Sequence, residues 1–188
     1  MTRLALRRHA DTAWSLEGRI QGRADVRLLP EAWIHPLPEA CSAMRVITSP
    51  LTRCVQTAAL LGAPDAMREP RIIEMDWGAW EGETLAGLRR ALGASMAENE
   101  SRGLDFTPPG GESPRMVFSR LKSWLEDVAS AGAPTLAVTH RGVIRAILAA
   151  ASGWDMRGKP PARLDWDAVH FFLLDRQGKP SIQQLNVR

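Results

Sequence analysis

Two short segments of this chain, Arg3–Arg7 and Thr135–Thr139, each read as a strand and each lead directly to a histidine. The first runs through Leu4-Ala5-Leu6 and meets polar residues at once, as a buried strand does when it ends in a functional loop. The second is compact and apolar, leaves through His140-Arg141-Gly142, and is followed by the apolar helical stretch Val143–Ala151. Strands that alternate with helices in this way build a mostly parallel sheet with helices on both faces. Such sheets place their sites beyond the carboxyl ends of the strands.

The rest of the chain keeps the alternation. Arg45–Thr48 reads as a strand punctuated by Ser49-Pro50, with an amphipathic helix over Thr52–Leu61 and Gly62 as its stop. Pro30 can open a helix running to about Ala43, although Pro36 and Pro38 must kink or interrupt it. Arg71–Glu74 reads as a further short strand, Asp76–Gly82 as a glycine-punctuated loop and residues 84–101 as mostly helical. After Pro108-Pro109-Gly110-Gly111, a helix from Glu112-Ser113 to about Ala129 carries Val117, Phe118, Leu121, Trp124, Leu125 and Val128 on one side. Val169–Leu174 and Ser181–Asn186 close the chain as strands. The expected fold is α/β, a three-layer α/β/α sandwich with a mostly parallel central sheet, in one domain over residues 1–188.

Composition narrows the function classes. Apolar residues make up 45% and charged residues 24%, an ordinary globular mix. No stretch approaches the roughly 18–20 apolar residues of a membrane span, and Leu4-Ala5-Leu6 is too short for a signal sequence, so a cytoplasmic protein with no membrane partner is expected. The net charge of +3 is scattered, which gives nucleic acid little to bind. Cys41 and Cys54 form no CxxC pair and are read as reduced thiols.

A solitary histidine beside an arginine, as in Arg8-His9, is usually a surface feature. His140 changes that reading, because it sits at the end of a second strand and before a helix whose free N–H groups favour an anion. Arg53, at the start of the helix after Ser49-Pro50-Leu51-Thr52, adds a planar guanidinium to that of Arg8. Two imidazoles and two guanidiniums could cage one phosphate.

The segment Leu6-Arg7-Arg8-His9-Ala10-Asp11-Thr12-Ala13-Trp14-Ser15 resembles the opening Arg-His-Gly-x-Thr signature of the histidine phosphatase, or phosphoglycerate mutase-like, superfamily. Gly18–Gly22, Ser49–Ala58, Glu74–Gly82, Gly110–Ser113 and Val138–Arg145 resemble further family blocks, in order. The resemblance implies that His9 is a nucleophile that becomes phosphorylated, that Arg8, Arg53 and His140 bind the phosphate, and that Glu74 donates a proton to the leaving oxygen. Glu81 and Glu83 are nearby rivals for that last role. The resemblance also implies no metal and no other cofactor, and a small-molecule phosphate ester as partner. Ser15, Gln21, Gly22, Trp77 and Arg141 are the candidate substrate contacts. Trp77 and Trp80 could rim the leaving-group side or cap a core edge.

Three residues depart from the family pattern. Ala10 replaces a glycine, Ser15 replaces an asparagine with a shorter hydroxyl, and Arg141 stands where a small residue is usual. Arg141 is expected first to face solvent, with an anion contact or a change of specificity as alternatives. The short span between Glu74 and Glu112 and the absence of tyrosine favour a phosphatase, similar to the α-ribazole and broad-specificity phosphatases. A cofactor-dependent phosphoglycerate mutase and a catalytically weak phospho-ligand-binding protein are the alternatives. The oligomeric state is left open.

Overall fold

The computed structural model describes residues 1–188. Along the chain run β1 (Thr2–Arg8), α1 (Ala13–Leu16), β2 (Arg45–Thr48), α2 (Thr52–Leu60), β3 (Met67–Arg68), α3 (Leu85–Leu92) and α4 (Ala94–Ser101). They are followed by α5 (Pro114–Ala131), β4 (Thr135–Thr139), α6 (Arg141–Ser152), β5 (Val169–Leu174) and β6 (Pro180–Val187). The six strands form one sheet in the order β3-β2-β4-β1-β5-β6. The pairs β1/β4, β2/β4 and β2/β3 are parallel, whereas β5 runs antiparallel to both β1 and β6. The central sheet is thus mostly parallel, as expected.

Side chains alternate across the strands, and both faces are covered. Leu4, Leu6, Ile47, Ala137 and Phe172 pack against Val117, Leu121 and Trp124 of α5 and Ile144 and Ile147 of α6. On the other face, Ala5, Leu136 and Phe171 meet Cys41 and Met44, while Val138 meets Cys54 and Ala58 of α2. Burying each large apolar side chain contributes about 1.5–3 kcal/mol, so this two-sided core fixes which strand ends lie together. The Ser113 hydroxyl caps α5 by accepting from the Met116 N–H at 3.2 Å, Pro114 fills its first position, and Gly132 closes it at φ 66°. No helix is long and apolar enough to cross a membrane.

Two sequence expectations are corrected. The helix expected from Pro30 to Ala43 is absent, and only a 3-10 turn at Glu39–Cys41 forms. Pro36 and Pro38 remove N–H donors and disfavour helical conformation in the residues before them. The strand expected at Arg71–Glu74 is instead β3, followed by a 3-10 turn at Pro70–Ile72. Pro70 opens this turn without an N–H for the ladder, and the Glu69 carboxylate accepts from the Arg71 N–H at 2.9 Å. The region 84–101 is mostly helical, as expected, in two helices broken at Gly93, whose φ of 52° and ψ of −121° no helix contains.

Candidate active site

Parallel pairing of β1 with β4 sets the site. Arg8 lies opposite Thr139, so the next residues of each strand, His9 and His140, emerge side by side, and the His9 N–H donates to Thr139 O at 3.0 Å. The two rings stand 5.4 Å apart, centroid to centroid, at 59°. Pairing of β2 with the other edge of β4 brings Ser49 alongside, and α2 then starts so that Arg53 falls in its first turn. Arg8, His9, Arg53 and His140 are all buried, with Arg53 and His140 at 0% exposure. The four residues singled out in the sequence therefore converge.

Each imidazole is held by its neighbours. His9 Nδ1 lies 2.7 Å from Ala10 O; a carbonyl only accepts, so Nδ1 carries the proton and Nε2 keeps a free lone pair. His140 Nε2 lies 2.7 Å from Ser49 Oγ and 3.4 Å from Cys54 Sγ. Burial, reinforced for His9 by the charges of Arg8 and Arg53, holds both rings well below the usual histidine pKa and keeps them neutral at pH 7. Burial raises the Cys54 thiol, which leaves it a packing group against His140.

Arg53 donates through Nη1 to Ala24 O and through Nη2 to Gly22 O, both at 2.7 Å. The loop supplying these carbonyls is itself clamped. The Glu81 carboxylate accepts from the N–H groups of Arg23 at 2.6 Å and Ala24 at 2.9 Å, and Asp25 accepts from Thr52 N and Oγ1, each at 2.7 Å. Gly22 has φ 51°, which strains any residue with a side chain, and a Cβ there would lie 1.9 Å from Glu81 Oε1 and push aside the carboxylate that clamps the loop. Arg8 meets Asp11 at 3.5 Å, and burial lowers its pKa to about 10, which leaves it a cation at neutral pH. Nε of both Arg8 and Arg53 is buried with no partner in the protein, an arrangement that suits an oxyanion.

Glu74 closes the opposite side. Its carboxyl accepts from Met75 N at 2.8 Å and from Gly142 N at 3.1 Å, and burial raises its pKa despite those donors and the charge of Arg53. Its backbone is fixed by Arg120, which donates to Ile73 O at 2.7 Å and Glu74 O at 3.1 Å and pairs with Glu112 at 3.1 Å. Glu74 lines the cleft, whereas Glu81 holds the 22–24 loop and Glu83 is exposed outside it.

The cleft has a volume of about 630 Å³ and includes Arg8, His9, Glu74, Trp77, Arg141 and Trp166 in its lining. An adjoining cavity of about 720 Å³ shares Arg8, Ser15, Arg141 and Trp166 but includes neither His9 nor Glu74, which line the smaller space. Gln21 and Gly22 line the cleft, but the Gln21 amide oxygen accepts from Thr12 Oγ1 at 2.9 Å and Gly22 serves Arg53. The Ser15 hydroxyl donates toward Asp11 Oδ1 and Thr12 O, 2.9 Å from each, and completes the cap of α1. The two tryptophans divide the alternatives. Trp77 lines the cleft and leans on Phe106 at 5.6 Å, whereas Trp80 is buried with Ile20, Leu88 and Met96. Ala10 is not among the residues with positive φ, so its methyl group causes no backbone strain there. Arg141 is exposed, yet it lines both spaces with its guanidinium 5.0 Å from the Trp166 ring centroid.

Sequence reasoning passed over Ser49, Asp25 and Arg145, and weighed Glu81 as a rival proton donor, not as the clamp of the 22–24 loop. Ser49 lies in a motif block, but its bond to His140 spans 91 positions and leaves no local trace. No group of three His, Cys, Asp or Glu side chains converges to hold a metal ion.

Comparison with known proteins shows the family of the chain. The chain is 32% identical over 158 residues to a bifunctional protein of Mycobacterium tuberculosis, an alignment covering 78% of this chain; it spans only 43% of that protein's length. It is 29% identical to phosphoserine phosphatase 1 of Hydrogenobacter thermophilus, over 83% of this chain and 79% of that one. It is 28% identical to a 2,3-bisphosphoglycerate-dependent phosphoglycerate mutase of Beijerinckia indica, over 86% of each. The structure of YhfR from Bacillus stearothermophilus shares the fold with a TM-score of 0.82 at 22% identity, over 100% of this chain and 98% of that one. The model of the histidine phosphatase superfamily, branch 1, matches residues 4–187, and the chain belongs to that superfamily.

Proposed function

We propose that this protein hydrolyses the phosphate monoester of a small molecule through a phosphohistidine on His9. One observation carries the reading: two buried neutral imidazoles stand 5.4 Å apart in the field of two buried guanidiniums, Arg8 and Arg53, and His9, which lines the cleft, presents a free Nε2. In the first step the Nε2 lone pair attacks phosphorus in line, the P–O ester bond breaks, and the leaving oxygen takes the proton of Glu74. In the second step water attacks phosphorus, the P–N bond breaks, and the Glu74 carboxylate receives the proton that water loses. One difficult displacement becomes two easier ones, and both steps proceed without a metal.

Arg8, Arg53 and His140 are the groups that hold the PO₃ oxygens as charge redistributes. The Arg53 guanidinium and the His140 ring are fixed before reaction by Gly22 O, Ala24 O and Ser49 Oγ, and Arg8 leans on Asp11 at 3.5 Å, so little reorganisation accompanies transfer. Burial raises the Glu74 pKa, which favours the acid form that a proton donor needs.

The test uses a simple aryl phosphate in the presence of a chelator. Turnover and an acid-labile phosphoprotein are expected, and both should vanish in His9→Ala. Robust turnover by that variant would overturn the mechanism. Interconversion of phosphoglycerates that outpaces phosphate release by orders of magnitude would move the reading to a mutase.

A further inference from the structure

Beyond the phosphate pocket, the cleft wall carries four more arginines, and they differ in one respect. Arg19 is neutralised by Glu17 at 2.6 Å and Arg89 by Glu100 at 2.7 Å. Arg141 and Arg145 have no carboxylate within the 4.0 Å of an ion pair. They stand four residues apart on α6, hence on one face of that helix. Each guanidinium is laid on an indole instead, Arg141 at 5.0 Å from the Trp166 centroid and Arg145 at 5.2 Å from that of Trp154. Trp154 is itself fixed by its indole N–H, which donates to Arg157 O at 3.1 Å.

An indole face positions a cation without cancelling its charge, and it leaves the in-plane N–H donors of the guanidinium free. The wall bearing these two charges is joined to the proton donor, because Gly142, one residue past Arg141, donates to the Glu74 carboxyl at 3.1 Å. A leaving oxygen protonated by Glu74 therefore has its next atoms beside α6. Resting on the reading of the site given above, we infer that the leaving alcohol carries a second oxyanion, a carboxylate or phosphate, bound by Arg141 and Arg145. This makes the two arginines specificity residues, which admit doubly anionic phosphate esters in preference to neutral-tailed ones.

Two minimal pairs test this. 3-Phosphoglycerate and glycerol 3-phosphate differ only in a carboxylate against a CH₂OH, and 1,3-propanediol bisphosphate and 3-hydroxypropyl phosphate differ only in a second phosphate. The anionic member of at least one pair should be preferred in kcat/KM, and the pair that shows it identifies the oxyanion. Arg141→Gln with Arg145→Gln should shrink that preference by about 10- to 100-fold, the effect of removing charge-assisted hydrogen bonds. Equal kcat/KM within both pairs, or a preference that survives the double substitution, would overturn the inference. Calorimetric binding of the same four compounds to His9→Ala reads the preference without chemistry. A preference there alongside absent turnover by the parent protein would sink the phosphohistidine reading alone, whereas turnover that requires His9 with no preference would sink only the inference.

Discussion

Gly142→Ala offers a sharp probe of the proton donor, because it displaces the Glu74 carboxyl without deleting it. A Cβ at position 142 would lie 2.4 Å from Glu74 Oε1 and 3.1 Å from Met75 Cβ. Ordinary contact starts at 3.4 Å, so the carboxyl must retreat by about 1 Å. It can do so cheaply, since Oε1 is the end of a flexible side chain. Gly142 has no positive φ, and alanine in a helix is favoured over glycine by up to about 1 kcal/mol, so folding should be unharmed. A 1 Å misplacement of a reacting group costs about 10²-fold in rate, or about 2.7 kcal/mol of barrier. That loss should appear in kcat for an alkyl ester such as glycerol 3-phosphate, whose leaving oxygen needs the proton. With 4-nitrophenyl phosphate, whose leaving group needs little protonation, the loss should be no more than about threefold. Urea denaturation of the same samples checks that the fold is retained. Equal slowing of both esters, or full activity on the alkyl ester, would refute the placement of the donor.

Because burial raises Glu74 above the usual carboxyl range, its acid form persists to higher pH, and kcat/KM for an alkyl ester should fall as pH rises through that raised value. A pH–rate profile of Glu74→Gln should lack this alkaline limb. His9 and His140 are held neutral by burial, so their contribution to stability is present above the usual 6.5 and lost as pH falls through their lowered values. Urea midpoints measured between neutral and acid pH should therefore drop less steeply in His140→Gln than in the parent. Glu81→Gln replaces an acceptor of two backbone N–H groups in the loop that grips Arg53. It should cost about 1–2 kcal/mol of stability and raise the inhibition constant of inorganic phosphate, whereas an unchanged constant would separate this loop from the phosphate pocket.

The local pattern of the sequence carried the elements and the reacting groups. The apolar strands over residues 3–7, 45–48 and 135–139 and the helix after Ser113 were legible because burial imposes its period on neighbouring residues, and His9, Arg53 and His140 were legible because each stands at a strand exit. The helix expected after Pro30 and the strand expected after Arg71 failed where proline chemistry overrode that pattern. Tertiary structure alone decided which exits meet, since parallel registry of β1 and β2 on either side of β4 is set by packing between residues about 90 to 130 positions apart. It also put Glu74 rather than Glu81 in the lining of the cleft, gave Arg53 the carbonyls of Gly22 and Ala24, and laid Arg141 and Arg145 on indoles, outside any ion pair. A side chain's type is written locally, but its partners come from distant segments, and only folding brings those together.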